Sequence, residues 1–251
     1  MTTENGMLRT FTKQQITTVC VAVFYLSGLP GGRVSYAARP LIVDDARIVD
    51  GKSCQVESWV KINRGNTEYW ALPACNFSGN LEITSGGALT SDNDGTRTTD
   101  FVLQGKTMFR VLEPNGWSMG LTVGAVRHPD IQSSGSLIGD IYSYAPMSFS
   151  FSDDFIIVHT NLGWMHEKET GRHRMTWGIG AETQLFGERT WLITEIFGQN
   201  QGRPFCQAGL RHWVVQDRVQ IDATYGNRLG NGAAEQWVSI GLRLLSLPFL
   251  P

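Results

Sequence analysis

From Ser53 to the end of the chain, apolar and polar residues alternate with period two, and the 3.6-residue period of an amphipathic helix is nearly absent. In "FVLQGKTMFRV" the residues Phe101, Leu103, Thr107, Phe109 and Val111 share one face, while Gln104, Lys106 and Arg110 share the other. The last such segment sets Val238, Ile240, Leu242 and Leu244 against Ser239, Gly241 and Arg243. The pattern predicts twelve strands, near 54–63, 66–75, 80–88, 99–112, 116–127, 139–151, 154–165, 173–185, 190–198, 204–215, 218–226 and 236–246. Alternate joins are short: "EPNG", "SDD", "FGER" and "QD". The intervening ones, such as 87–98, 128–139, 166–173 and 227–235, are longer and polar. An antiparallel up-and-down meander with two chemically different ends follows.

Alternation does not say which face is inside. A soluble sandwich or barrel keeps its apolar face in, whereas a membrane barrel turns it to lipid and lines the lumen with polar groups. The N-terminus bears on the choice. Arg9 and Lys13 precede "ITTVCVAVFYLSGL" (16–29), followed by Pro30-Gly31-Gly32 and then Ser35-Tyr36-Ala37. That is the layout of a signal peptide cleaved after Ala37, and fourteen residues are too few for a membrane-spanning helix, which needs roughly 17–25. The domain reading is therefore a signal over 1–37, an N-terminal extension over 38–52 and a barrel over 53–251.

Strands of about ten residues suit a tilted bilayer crossing. Trp59, Tyr69, Trp117, Trp164, Tyr225 and Trp237 fall near strand ends, where aromatic girdles are expected. The polar faces carry Glu57, Lys61, Glu68, Glu82, Lys106, Arg110, Glu182, Glu195, Arg211, Asp222 and Arg243. In a dry core each unpaired ion would cost several kcal/mol; a hydrated lumen, with opposite charges facing across it, removes most of that cost. The expected fold is an all-β transmembrane antiparallel barrel of about twelve strands, with short periplasmic turns and longer extracellular loops.

Several short stretches resemble a known group. "ARPLIVDDA", "TDFVLQGKTMFR", "FCQAGLRHWVVQDRVQIDATYG" and "GLRLLSLPFLP" are similar to segments of the outer-membrane barrel family labelled putative MetA-pathway of phenol degradation, itself distantly similar to hydrophobic-compound channels. Val43 stands where that family's pattern has Thr before Asp44-Asp45. The resemblance implies a Gram-negative outer-membrane location and passage of small molecules; it supplies no substrate.

The chain has 251 residues, 28 of them Gly and 8 Trp. Without the signal it carries 18 basic and 22 acidic side chains, a net charge of −4, so nothing recommends nucleic acid as a partner. Partners expected are membrane lipid, the barrel-assembly machinery during biogenesis and a small solute, with the protein a monomer. "CQVESWVKINRGNTEYWALPAC" (54–75) reads as a hairpin with a two-residue loop at Arg64-Gly65. In that register residue i faces 129 − i, which sets Cys54 opposite Cys75 for a disulfide in an oxidising compartment.

Candidate site residues are the luminal charges Lys106, Arg110, Glu182, Glu195, Arg211, Asp222 and Arg243, read either as a network that fills the bore or as a constriction that selects solutes. Their near-balanced signs argue against strong ion selectivity. An outer-membrane lipid hydrolase is the alternative, with His159 and Asn161 on one strand face; no Ser-containing motif accompanies them, and no catalytic residue is assigned. His128, His166, His173 and His212 lack ligand spacing and "DNDG" lacks the rest of a calcium loop, so no metal or cofactor is expected. The stretch "ARPLIVDDARIVDG" (38–51) is either a periplasmic tail or a plug folded into the lumen, with Asp44 and Asp45 pairing to Arg211 or Arg243.

Overall fold

A computed structural model describes residues 42–129, 138–230 and 235–250. The segment read as a signal lies outside the described residues, as do 38–41. Among the described residues there are twelve strands: β1 (Ser53–Asn63), β2 (Thr67–Asn76), β3 (Leu81–Asp92), β4 (Gly95–Arg110), β5 (Trp117–Arg127), β6 (Asp140–Phe151), β7 (Ile156–Glu167), β8 (Arg172–Phe186), β9 (Thr190–Gln199), β10 (Phe205–Val215), β11 (Val219–Arg228) and β12 (Trp237–Leu245). Each pairs antiparallel with its sequence neighbours and β12 returns to β1, closing a barrel. Closure leaves no unpaired sheet edge.

The first hairpin has the expected register. Cys54 pairs with Cys75, Gln55 with Ala74 and Trp59 with Trp70, while Gly65 adopts φ +109° in the turn, a conformation open chiefly to glycine. The Cys54–Cys75 disulfide is formed across a Cα–Cα distance of 4.1 Å. It sits on the outer face at the rim that carries the chain ends, next to Ser246, whose backbone N–H donates to the Cys54 carbonyl. At the same rim Asn115 and Asp217, with φ of 57° each, make the short turns between β4 and β5 and between β10 and β11, Asn and Asp being the side chains that best tolerate left-handed backbone.

The barrel is inverted relative to a soluble one. Leu103, Leu162 and Ile240 stand outside, 59–63% exposed, while Lys106, Glu182, Arg211 and Arg243 are at most 3% exposed inside. A contiguous apolar exterior of this extent marks a surface that meets lipid rather than water.

Three expectations change. The segment 87–98 is not a free loop: β3 and β4 stay paired to Asp92 and Gly95, across a bulge at Ala88/Leu89. The Thr90 and Thr99 hydroxyls bond each other across the two strands, and the turn closes with the Asp94 N–H donating to the Asp92 carboxylate. Beyond the lipid both faces of a hairpin can be polar, so alternation fades there although the strands continue. Arg110 is not luminal. A bulge between Met108 and Arg110 shifts the register on β5, and the guanidinium turns to the exposed rim, 4.5 Å from the Trp117 ring. Trp59 and Trp237 do not belong to a lipid-facing girdle either: the first stacks on Trp70 at 5.1 Å on the inner face, the second donates its indole N–H to luminal Gln207. Trp117, Trp164, Tyr69 and Tyr225 are exposed on the outside.

Candidate functional site

An extended strap, residues 42–50, runs through the barrel lumen. An extended segment away from water needs partners for its backbone groups, and here they come from the barrel wall. The Ile42 and Val43 N–H groups donate to the Glu195 carboxylate of β9, the latter at 2.8 Å. Asn161 of β7 donates to the Asp44 carbonyl at 2.8 Å. Ala46 is held on both sides: its N–H donates to Ser148 Oγ of β6 at 2.8 Å and its carbonyl accepts from Ser118 Oγ of β5 at 2.9 Å. Val49 donates to Glu82 of β3 and accepts from Asn76 of β2, both at 2.8 Å.

The two adjacent carboxylates meet one cation. Lys106 Nζ lies 2.8 Å from Asp44 Oδ1 and 3.1 Å from Asp45 Oδ1, and the Tyr144 hydroxyl donates to Asp44 Oδ2 at 2.8 Å. The expected pairing with Arg211 or Arg243 is thereby corrected: Lys106 takes both carboxylates. Those arginines are engaged in the wall itself. Arg211 makes a bidentate pair with Glu182, two contacts of 2.7 Å. Arg243 donates to Gln55 Oε1 at 2.9 and 2.6 Å and lies 3.5 Å from Glu57. A guanidinium whose two terminal nitrogens are already paired with its own sheet is held in place and turned away from the strap, whereas an ammonium with three rotatable donors reaches two acceptors at once.

Apolar contact completes the fit. Val43 is buried against Gly178 of β8, where an added Cβ would sit 2.5 Å from Val43 Cγ2 and 3.3 Å from Phe197 Cβ. Only a residue without a side chain leaves that passage. Between the strap and the wall, toward the rim with the chain ends, a cavity of about 350 Å³ is lined by Asp45, Arg47, Val49, Gln55, Glu57 and Arg243 among others. Of the remaining luminal charges, Glu195 also accepts from Gln207 at 3.0 Å, and Asp222 lies over Gly241, where a Cβ would meet its Oδ2 at 2.5 Å.

One grouping escapes single-strand reading. Ser148 pairs across the ladder with His159, its Oγ 2.7 Å from His159 Nδ1, and His159 Nε2 lies 3.6 Å from Glu182 Oε1. Serine, histidine and carboxylate thus form a line from β6 to β8. Ser148 and His159 are completely buried, and Ser148 Oγ already accepts the Ala46 N–H, so in this arrangement the hydroxyl anchors the strap. A three-residue loop at 152–154 would set Ser148 opposite Val158; the loop spans 152–155 instead, and that shift by one brings Ser148 to His159. Arg47 of the strap also faces the luminal cavity, and no local period reveals it, because the strap's path inside the barrel is not encoded in one. Among the described residues no three His, Cys, Asp or Glu side chains gather as a metal-ligand set.

Solved structures share this architecture. The chain is similar to the NanC porin, with 9% identity and a TM-score of 0.54, over 77% of this chain and all of that one. It is likewise similar to the COG4313 outer membrane channel from Pseudomonas putida F1, with 11% identity and a TM-score of 0.54, over 84% of this chain and all of that one. At such identities the likeness concerns the fold, that of outer-membrane barrels. A comparison with curated proteins finds no match. The family model that does match covers residues 26–245 and is not the one labelled for phenol degradation; the chain belongs to the family described as Uncharacterised conserved protein UCP029691.

Proposed function

We propose that the protein is a monomeric outer-membrane channel for passive movement of small solutes, held shut at rest by residues 38–52 acting as a plug. The single observation that carries this reading is the mode of attachment of residues 42–50. Every tie between strap and wall is a hydrogen bond, an ion pair or a side-chain contact, none covalent, and they engage strands around most of the circumference. A segment needed only to fill space would be apolar; this one is held by Glu195, Glu82, Lys106, Ser148 and Asn161, groups that could equally face water once it leaves.

The removal of residues 1–37 on export and the entry of lipid against the exterior belong to the same reading, as does folding by the barrel-assembly machinery. The resemblance to the family labelled putative MetA-pathway of phenol degradation supports the channel class and leaves the solute open. Lys106, Glu182, Glu195, Arg211, Asp222 and Arg243 would then line the path in the open state, with Arg110 outside it.

The test is electrical. The mature chain and a variant lacking residues 38–50 are compared in planar bilayers. The deletion is expected to conduct in discrete steps where the full chain is mostly silent; a folded deletion variant with the same trace as the full chain refutes the plug. A hydrolytic reading has one observation in its favour, the Ser148–His159–Glu182 line, and would need the strap to withdraw to admit substrate. Lipid turnover lost on His159→Ala would carry it. Silence in both assays would leave a purely structural role in the envelope.

A further inference from the structure

The barrel wall grips the strap by its main chain. Glu195, Ser148 and Glu82 accept from the N–H groups of Val43, Ala46 and Val49, while Asn161, Ser118 and Asn76 donate to the carbonyls of Asp44, Ala46 and Val49. Any extended peptide offers the same groups at the same spacing. The bonded N–H groups of Val43, Ala46 and Val49 recur every third residue, and the same three residues are buried, 1–5% exposed. A period of three is that of the polyproline II conformation, which rises about 3.1 Å per residue, so 43–49 spans about 19 Å of lumen.

Side chains are read by fewer groups. Lys106, 4% exposed at its side chain, takes the carboxylates of Asp44 and Asp45, and Gly178 leaves a groove for the Val43 methyls. Arg47 and Ile48 border the cavity of about 350 Å³ between strap and wall, where other side chains would find room. Main-chain bonds that give affinity, with a few side-chain sites that give specificity, are the means by which extended peptides are recognised.

We propose that the strap occupies the solute's own site and that the solute is a short acidic peptide. The proposal deepens the channel reading and rests on it. With the strap withdrawn, Lys106 requires an anionic side chain, while Glu195 and Glu82 require N–H donors. A benzoate-like acid would answer Lys106 and be repelled by both carboxylates. A neutral sugar brings hydroxyls but no charge for Lys106. An acidic peptide brings the carboxylate, the N–H groups and the carbonyls on one extended chain, so it replaces the strap without leaving a buried group unpaired.

The experiment uses the unrelated heptapeptide Ala-Glu-Asp-Ala-Ser-Leu-Ala, because a copy of residues 43–49 would rebind to any plug site. The mature, full chain in nanodiscs receives the peptide at ~10 mM, above the millimolar effective concentration of a tethered strap. Tryptic cleavage after Arg47 is expected to quicken severalfold, and equimolar aspartate, maltose or sodium benzoate should leave it unchanged. Affinity is read by calorimetry and by conductance block in the variant lacking residues 38–50, whose β1–β12 closure does not involve the strap and whose folding is checked by heat-modifiable migration. Binding should weaken at least tenfold on N-methylation of the fourth and seventh peptide residues, which match Ala46 and Val49, and survive it at the sixth, which matches Ile48. Lys106→Met should weaken it tenfold for this peptide but not for Ala-Gln-Asn-Ala-Ser-Leu-Ala; should that variant not fold, the N-methylated peptides decide. Binding confined to a copy of 43–49, equal binding of aspartate or benzoate, indifference to N-methylation, or binding without quickened cleavage in the full chain overturns the proposal. A conducting deletion variant that the heptapeptide does not block also overturns it and leaves the channel standing. A deletion variant that binds the peptide yet passes no current overturns the channel alone.

Discussion

Lys106→Met removes the one cation shared by Asp44 and Asp45 while keeping most of the side chain's volume. Asp45 is 3% exposed and loses the ammonium it contacts, keeping only the field of Arg47; Asp44 keeps the Tyr144 hydroxyl and is 27% exposed at its side chain. Breaking a buried pair by deleting one partner costs about 3–5 kcal/mol, because the remaining charge stays desolvated. The partial exposure of Asp44 argues for the lower end, about 3 kcal/mol. The strap can avoid that cost by leaving, so the balance between closed and open barrels shifts by a factor of more than about 100. In single-channel recordings the time-averaged open probability should rise by about two orders of magnitude over the unmodified chain. The triple variant Lys106→Met/Asp44→Asn/Asp45→Asn, in which the strap no longer carries the two carboxylates that faced Lys106, should return most of the way to silence. That non-additivity is the signature of a direct interaction. An unchanged trace for Lys106→Met, or a triple variant as open as the single one, refutes the reasoning.

Gly178→Val should expel the strap by crowding rather than by charge, since even its Cβ would fall 2.5 Å from Val43 Cγ2. Trypsin should then cut after Arg47, which is protected in the unmodified chain, while the heat-modifiable migration of the barrel is retained. Replacing Cys54 and Cys75 by Ala should lower the unfolding free energy by about 2–4 kcal/mol, as expected for a loop of this length, and reduce the urea midpoint in micelles. At the outer loops, His128 Nδ1 lies 2.7 Å from Asp100 and its Nε2 3.6 Å from Asp140; the Asp100 hydrogen bond holds the imidazole above its ordinary value. A raised histidine stabilises below the unfolded value of about 6.5 and loses that contribution as pH rises through the folded value. NMR titration should therefore give His128 a midpoint above that of His128 in the Asp100→Asn variant, and amide exchange at the β4–β6 rim should quicken on the alkaline side.

The legible parts of this fold are those whose period is short. Alternation marks all twelve strands, and one hairpin register, i facing 129 − i, sets Cys54 opposite Cys75. It worked because a two-residue turn leaves no freedom of register. Arg110 was misplaced because a bulge breaks the parity on which alternation depends, and nothing in "KTMFRVLEPNG" marks the extra residue. Loop 87–98 hid a continuing hairpin because a strand with water on both sides has no apolar face to reveal it. Trp59 and Trp237 looked like girdle residues from their place near strand ends, yet their parity with Glu57 and Arg243 already set them on the luminal face. The strap shows the limit most clearly. That Asp44 and Asp45 could enter the lumen was readable from two carboxylates beside apolar residues. Their partner was not, because arginine and lysine are equally charged and only the wall's own pairing, Arg211 with Glu182 and Arg243 with Gln55, leaves Lys106 to receive them.

The measurement that bears most directly on the central claim is a contact between Val43 and the barrel wall in the mature chain. In nanodiscs with methyl-labelled valine, nuclear Overhauser effects from the Val43 methyls to Gly178 Hα and the Phe197 side chain are predicted, and they should vanish in Lys106→Met together with the gain in conductance. A Val43 methyl with no cross-peak to Gly178 or Phe197, in a chain that is nonetheless folded and silent, would contradict a barrel closed by its own N-terminal strap.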